Sequence, residues 1–448
     1  MIVFELYILF FLTLLIGYNE VIRKRCYNLA TSIFTILFGV LFVIVPIILH
    51  TFFGGAKRLD KGIDSVYFVS DHYHLLNFYS FLILSVIFIF SYLIKSKPYA
   101  SSTLDLRIFC DNKVSRRLIY LMPTIGFLIF LFFTHMTISD LLTLGRFSWY
   151  DNPSSNLFMV AISHYFFALT PIAVLLVSVS NENRRFDYFL FTMMLICLIF
   201  YSVISLDRKF ILYVLSGIVG SYYVKNSFRL KISVKLFIGM SVIAALLFFS
   251  QFFRDYLLRI MTGGLASVEP FNEEIWLWVK RLLVEGDISY FYRASCEMIN
   301  ITIQDGIVSP GAMILRNLLF FIPSSLTFEV KPEDVAKTFS DLVNGGSAMR
   351  RGNMPPGFFG IIVASFGLYF SMVLMIFIPY ILNKIDKVIR NPSRASGIIM
   401  ISCFLSLLIL ALRGDDSSAV YFFIFNLMVM HVFRIISRIN FSKSPLVP

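Results

Sequence analysis

The chain has 448 residues, of which 58% are hydrophobic and only 15% are charged, and its net charge is +12. Soluble domains carry about 25% charged residues, so this composition excludes a water-soluble globular protein. A helical membrane span needs roughly 20 apolar residues, and the apolar residues come in such blocks, without the alternation of a transmembrane β-strand. The composition therefore predicts an all-α, polytopic membrane protein, because helices satisfy their own backbone polar groups in lipid.

About eleven charge-poor blocks are predicted to be transmembrane helices. They lie near residues 1–17, 29–51, 75–94, 118–136, 157–179, 187–205, 210–224, 234–251, 357–383, 396–412 and 417–433. The first block has no basic start and no small-residue cleavage site after it, so it is predicted to be a span and not a signal peptide. The spans are nearly free of charge, and no paired interrupted helices of the transporter kind are evident.

Lysine and arginine concentrate in every second loop between the predicted spans. The loop after span one, for example, contains Arg23, Lys24 and Arg25. Because short basic loops face the cytoplasm, the N-terminus is predicted to lie outside and the C-terminus inside. The positive charge then follows from the topology, and a nucleic-acid partner is not expected.

This topology divides the chain into four parts. A bundle of eight spans occupies 1–251, a large external loop 252–356, three further spans 357–433, and a cytoplasmic tail 434–448. The loop is too apolar for a disordered linker, and an ordered loop of this length is usually functional.

The long loop contains two predicted helices. Residues Glu273 to about Ile303 have an amphipathic pattern, with Trp276 suited to an interfacial depth. The run from Ala312 to Ile322 is too short to cross a membrane. It is either a re-entrant segment or a core helix of the loop domain, and the second interpretation is favoured.

Arginines at the predicted external ends of spans are the candidate ligand-binding residues. Arg208 and Arg413 lie in very short joins between spans, while Arg254 and Arg259 follow span eight and Arg146 follows span four. Two interpretations stay open for the joins: a turn residue whose side chain snorkels to water, or a ligand-binding group. A guanidinium binds phosphate oxygens bidentately and stays charged, so such a group suits a lipid-borne diphosphate.

A sugar hydroxyl that attacks a diphosphate-linked sugar also needs a general base, which a carboxylate or histidine can supply. The candidate acids are Glu285 and Asp287 in the loop, and Asp207 and Asp415 at the short joins. The alternative for each acid is a helix N-cap or an ion pair with a neighbouring arginine. His164, near the outer end of span five, is either a buried, hydrogen-bonded side chain or a participant in the site.

Three short motifs resemble those of bacterial O-antigen polymerases of the Wzy type. They are Ser205-Leu206-Asp207-Arg208-Lys209, Met354-Pro355-Pro356-Gly357-Phe358-Phe359-Gly360 and Leu412-Arg413-Gly414, each at the edge of a predicted span. The number of spans and the single large external loop late in the chain are also similar to that family. One departure is that Phe359-Gly360-Ile361 carries no acid, where many members have Gly-Glu.

The resemblance implies a metal-independent, GT-C-like glycosyltransferase of the bacterial inner membrane, without a cofactor. It would transfer the growing glycan from undecaprenyl diphosphate to the non-reducing sugar of an incoming repeat unit, and a chain-length regulator would be a protein partner. The expected catalytic residues are Arg208, Arg254, Arg413, Glu285 and Asp287. Substrate binding would fall to Arg146, His164, Arg259, Arg350 and Arg351, the last two as parts of a loop lid.

Two other functions stay open. A flippase for the same lipid-linked units would share the apolar composition and the basic residues, but it should line a central cavity with charges inside its spans. An O-antigen ligase would differ from the polymerase only in its acceptor. Spans that are nearly free of charge, together with the large external loop, favour the polymerase.

Overall fold

A computed structural model describes residues 2–23, 28–52, 72–93, 112–136, 152, 154–180, 184–205, 209–226, 228, 287–308, 311–319, 332, 335–343, 355–390 and 395–441. Within these ranges the chain is helical apart from short connections and contains no strand, which confirms the predicted all-α class. The helices are α1 (Ile2–Gly17), π1 (Tyr18–Arg23), α2 (Leu29–Gly39), π2 (Val40–Ile44), α3 (Val45–Phe52), α4 (Tyr73–Leu93), α5 (Lys113–Thr134), α6 (Leu157–Phe167), α7 (Thr170–Val179), α8 (Arg185–Ser205), α9 (Lys209–Lys225), α10 (Asp287–Asp305), α11 (Ala312–Leu318), α12 (Val335–Val343), α13 (Gly357–Ile389), α14 (Ala395–Arg413) and α15 (Asp416–Phe441).

Eight of the described helical stretches are long and apolar enough to cross a membrane. They coincide with predicted spans one to six, nine and ten. Predicted span seven corresponds to α9, which has 17 residues, and span eleven corresponds to the apolar stretch Ser418–Phe433 of α15. Predicted span eight, at 234–251, lies outside the described residues, so the total of eleven stays a prediction.

Polar side chains begin several of these helices by accepting from amides that the first helical turn leaves unpaired. Asn112 Oδ1 accepts a hydrogen bond from Ser115 N (3.0 Å) at the start of α5. The start of α2 is capped from a distant part of the chain, since the Asp386 carboxylate accepts from Ala30 N (2.7 Å) and Thr31 N (3.2 Å). This second cap ties the far end of α13 to the second span.

The chain divides into two compact units, of which unit 1 comprises Met1–Pro98, Glu273–Asp386 and Leu407–Tyr421. In unit 1, α1 packs against α2, α3 and α4, and α10 packs against π2, α3 and α4. The ring of Phe42 in π2 meets that of Phe359 in α13 edge to face, with centroids 5.1 Å apart. Helix α10 of the predicted loop therefore packs with the second and third spans within this unit.

Unit 2 comprises Tyr99–Asn272, Lys387–Ser406 and Phe422–Pro448. In it α5 packs against α6, α7 and α8, and α7 packs against α9. The α7–α9 contact is close because α9 presents a glycine there: a Cβ at Gly217 would lie 2.6 Å from Val174 Cβ. Small residues at such positions let helix backbones approach in a membrane, where no hydrophobic effect drives helices together.

Helix α13 is interrupted at Gly367, whose φ of 73° is left-handed. Ser371 Oγ lies 3.2 Å from Ile362 O and also within hydrogen-bond distance of Gly367 O. A straight helix would separate Ile362 and Ser371 by about 13.5 Å along its axis, so the chain turns sharply at Gly367. Predicted span nine, 357–383, is therefore not a single straight helix.

Carbonyl groups near the break accept from groups outside the helix. Gly311 N donates to Ser365 O (3.0 Å), and Tyr79 OH donates to Leu368 O (3.0 Å). Broken helices are tolerated at membrane depth only where the freed groups are satisfied in this way. The part from Leu368 to Ile389 is about 33 Å long and alone matches a hydrocarbon core of about 30 Å.

The turn between α14 and α15 packs against the first residue of α13. Gly414 has a φ of 81°, and a Cβ there would lie 2.7 Å from both Gly357 N and Gly357 O. A Cβ at Gly357, whose φ is 75°, would collide with Ser295 Oγ of α10. Glycine at both positions thus allows three segments of unit 1 to meet at backbone contact distance.

Replacing Gly414 with alanine is expected to destabilise the folded protein more than replacing Gly306 with alanine. Both glycines have a positive φ, of 81° and 84°, but a Cβ at Gly306 would meet nothing within 4 Å. The left-handed conformation costs an alanine roughly 1–2 kcal/mol at either site, and overpacking adds roughly 1–3 kcal/mol at Gly414 alone. Unfolding in detergent measures both variants, and equal losses would contradict the packing described.

Candidate functional site

Unit 1 has a polar cluster at each end of its first three spans. Glu5 contacts His74 at the start of α4, and we call this the Glu5 end. Glu20 of π1 contacts Ser91 at the close of α4 and Asn28 before α2, and we call this the Glu20 end. The first three spans therefore run in alternate directions, as the predicted topology requires; that the Glu5 end faces outside stays a prediction.

A chain of four hydrogen-bonded side chains lies at the Glu5 end. Tyr292 OH donates to Asn77 Oδ1 (3.2 Å), and Asn77 Nδ2 donates to Glu5 Oε2 (3.0 Å). The second oxygen, Glu5 Oε1, lies 2.7 Å from His74 Nδ1. Asn77 and Tyr292 are buried, whereas the side chains of His74 and Glu5 are 43% and 30% exposed. A buried half of the network thus holds an accessible carboxylate–imidazole pair.

Aromatic rings hold Tyr292 in this network. Its ring stacks on that of Tyr73 with centroids 5.6 Å apart, and the His50 ring packs edge-on against Tyr73 at 4.7 Å. Burial raises the pKa of Tyr292 well above its ordinary value, so the phenol stays protonated and keeps donating to Asn77. Because Tyr292 belongs to α10, these contacts fix a helix of the predicted loop to the first three spans.

The Glu5–His74 pair has the geometry of a base with an orienting partner. An ionised carboxylate only accepts, so Nδ1 of a neutral His74 carries the proton and Nε2 carries the lone pair. Nε2 has no hydrogen-bond partner among the residues that the structure describes. A carboxylate that fixes the tautomer and stabilises the imidazolium is the arrangement in which histidine works as a general base.

The Glu20 end is more deeply buried. The Glu20 carboxylate accepts from Ser91 Oγ (2.7 Å) and Asn28 Nδ2 (3.1 Å). Nearby, Asp386 accepts from Thr31 Oγ1 (2.6 Å) in addition to the α2 amides. Both acids are at most 2% exposed, so this end offers a substrate less access than the Glu5 end does.

Unit 2 contains a buried ion pair between two spans. Arg116 Nη2 lies 2.6 Å from Asp187 Oδ2, and both side chains are fully buried. Arg117 Nε donates to the other carboxylate oxygen (2.8 Å), and Arg116 Nη1 donates to Ser180 Oγ (2.9 Å). Arg116 and Arg117 precede predicted span four, and Asp187 is the first residue of predicted span six, so the charges lie at the ends of spans and are buried together with their partner.

Most of the predicted site residues lie outside the described part of the chain. These are Arg146, Arg208, Arg254, Arg259, Glu285, Arg350 and Arg351. Asp287 is the first residue of α10. Arg413 is the last residue of α14, is exposed, and belongs to unit 1 together with the Glu5 end. The roles assigned to all of these residues stay predictions.

The structure gives hydrogen-bond partners for two other candidates, His164 and Asp415. His164 Nδ1 lies 2.7 Å from Val160 O, and its Nε2 is bonded to Tyr201 OH, so both ring nitrogens are engaged. Asp415 Oδ1 accepts from Ser418 N (3.3 Å) as the N-cap of α15. Participation of His164 in substrate binding would require one of its two bonds to open.

The residues of the Glu5 end are not among the candidates predicted from the sequence, although signals for some of them are present. Glu5 is the only acid in the first predicted span, and His74 and Asn77 stand three residues apart, which places them on one helix face. Nothing in the sequence pairs them with Tyr292, which lies 215 residues beyond Asn77. The contribution of Tyr292 can therefore be recognised only in the folded structure.

Comparison with known proteins gives this chain no relative. No protein-family model, curated protein or solved structure matches it. The function is therefore argued from the residues and their geometry, with the resemblance to O-antigen polymerases as an expectation.

Replacing Asp187 with alanine is expected to destabilise the protein by about 3–5 kcal/mol, because it leaves the Arg116 charge buried without its partner. Replacing Arg117, whose side chain is 37% exposed, should cost no more than about 1 kcal/mol. The double variant Arg116→Met with Asp187→Leu removes both charges and should recover most of the loss. Unfolding in detergent tests this ranking, and wild-type stability of Asp187→Ala would contradict it.

Proposed function

We propose that this protein polymerises lipid-linked oligosaccharide repeat units at the external face of a bacterial inner membrane. It transfers the glycan carried on undecaprenyl diphosphate to the non-reducing end of an incoming repeat unit. The observation that carries the proposal is the Glu5 end: an accessible carboxylate–imidazole pair at the predicted outer end of an apolar helical body. The sequence motifs around Arg208, Gly357 and Arg413 support the same function.

Glycosyl transfer from a lipid diphosphate makes two demands on a protein. Negative charge develops on the departing diphosphate and must be stabilised, which arginine can do without a metal ion. The attacking sugar hydroxyl must lose its proton to a base whose lone pair is accessible. Exposed arginine and an exposed carboxylate–imidazole pair in unit 1 meet these two demands.

Arg413 is the described arginine best suited to the diphosphate. It precedes Gly414, whose backbone meets Gly357, and Gly357 in turn meets Ser295 of α10. Tyr292, the buried member of the Glu5-end network, lies one helical turn before Ser295 on the same helix. These contacts link the turn that carries Arg413 to the Glu5 end through two neighbouring segments.

The other predicted site residues complete the proposal. The resemblance implies a catalytic role at a diphosphate for Arg208 and Arg254, and a catalytic role for the loop acids Glu285 and Asp287. Substrate binding falls to the set Arg146, His164, Arg259, Arg350 and Arg351. The large loop and a chain-length regulator would act on the glycan, and all chemistry takes place outside the cytoplasm.

A flippase for lipid-linked units is the second candidate, and one observation favours it. Buried charges occur between spans, as a flippase requires, at Glu20, Arg116, Asp187 and Asp386. These groups lie at helix ends and are hydrogen bonded to protein partners. Glu20 also lines a small cavity with Asn28, Thr31 and Ser91, but it is the one charged side chain among the residues that line this cavity. The polymerase therefore remains the better proposal.

Deletion of the gene is expected to leave cells with single repeat units on the lipid A core, because flipping and ligation continue without polymerisation. The measurement is the length profile of the surface glycan after gel separation. Loss of all glycan would point to the flippase, and long chains stranded on the carrier lipid would point to the ligase. Either result would refute the polymerase.

Replacing Arg413 with alanine is expected to reduce long-chain glycan by roughly 100-fold, because one donor to the developing negative charge is lost. Arg413→Lys should retain part of the activity, since lysine keeps the charge but not the planar fork. The matched control is Lys384→Ala, which removes an exposed cation at the far end of α13. Wild-type glycan length in Arg413→Ala, at equal protein level, would exclude this residue from the site.

A further inference from the structure

We propose that His74 is the general base that deprotonates the acceptor hydroxyl, and that Glu5 positions it. This inference rests on the proposed function and names the base for that reaction. The sequence suggests other acids for the role, whereas the structure brings together a histidine on α4 and a carboxylate on α1.

The orientation of the imidazole ring supports the role of His74. Nδ1 is engaged by Glu5 Oε1 at 2.7 Å, which leaves Nε2 as the nitrogen with an available lone pair. The His74 side chain is 43% exposed, so the ring is accessible from outside the protein. His164 lacks this property because both of its ring nitrogens are already engaged.

The position of Glu5 is fixed by buried groups behind it. Asn77, which is 2% exposed, donates to Glu5 Oε2, and this leaves Oε1 for the imidazole. Tyr292 donates to Asn77 Oδ1 and so sets which end of the amide faces Glu5. An exposed ion pair contributes little to stability. The buried groups behind this pair therefore serve mainly to orient the Glu5 carboxylate toward His74.

The proposed step transfers the glycan from the diphosphate to the acceptor hydroxyl, with His74 as the base. The oxygen of the acceptor hydroxyl forms a bond to the anomeric carbon of the donor sugar, and its proton passes to His74 Nε2. The bond between the anomeric carbon and the diphosphate oxygen breaks, and undecaprenyl diphosphate leaves with the electron pair. Glu5 stabilises the imidazolium that forms, and the proton returns to solvent from the exposed ring before the next cycle.

Chemical rescue in cells tests the inference. In the deletion strain complemented with His74→Ala, long-chain glycan should fall by at least roughly 100-fold, the lower bound for loss of a general base. Imidazole in the medium should restore part of the long-chain glycan, because the space left by the side chain opens to solvent. The matched control is His72→Ala, a histidine two residues earlier, which should keep wild-type glycan length.

The outcomes separate this inference from the proposed function. If deletion abolishes polymerisation but His74→Ala retains long chains, the base is elsewhere and the polymerase stands. A His74→Ala loss that imidazole does not restore, at equal protein level, would assign His74 a structural role and overturn the inference. If deletion leaves the glycan profile unchanged, the proposed function itself fails. Glu5→Gln should show a smaller loss than His74→Ala, because the base remains but its orienting charge is gone.

Discussion

Every backbone amide and carbonyl inside a bilayer must find a partner within the protein, and both units are built around this constraint. An uninterrupted helix meets this constraint along its length by itself. Partners from elsewhere in the protein are needed where a helix starts or breaks. At Gly367 the hydroxyls of Ser371 and Tyr79 and the amide of Gly311 supply the missing partners. These groups come from three segments of unit 1, so the break in α13 depends on tertiary packing and in turn holds that packing together.

The spans could be predicted from the sequence because their signal is local. A bilayer demands a long apolar run at each crossing, and eight such runs coincide with described helices. The break in α13 could not be predicted, because a single glycine in an apolar run has the same composition whether the helix passes straight through or turns. One of the groups that compensate the break, the hydroxyl of Tyr79, lies 289 residues before Leu368 in the sequence.

The candidate site likewise contains residues that could be predicted from the sequence and residues that could not. Arginines beside spans stand out in a sequence because charge is rare there, so sequence reasoning concentrates on Arg208 and Arg413. The Glu5 end could not be predicted because none of its members forms a recognisable sequence pattern. They are one acid near a terminus, one histidine at the edge of a span, and one tyrosine in a loop. Only the packing of α1, α4 and α10 shows that these side chains form a continuous network. The buried pair of Arg116 and Asp187 escaped notice for the same reason, since its partners are 71 residues apart.

The cap on α2 bears on how the protein is made. The ribosome adds Ala30 to the chain 356 residues before the aspartate that completes its hydrogen bonding. At translation rates of about 5–20 residues per second, that interval is on the order of 20–70 s. Until Asp386 is added, the amides of Ala30 and Thr31 lack the carboxylate that accepts from them in the folded protein. Unit 1 is therefore completed only when the end of α13 packs against α2. A chain that ends before Asp386 would leave the amides at the start of α2 without this hydrogen-bond acceptor.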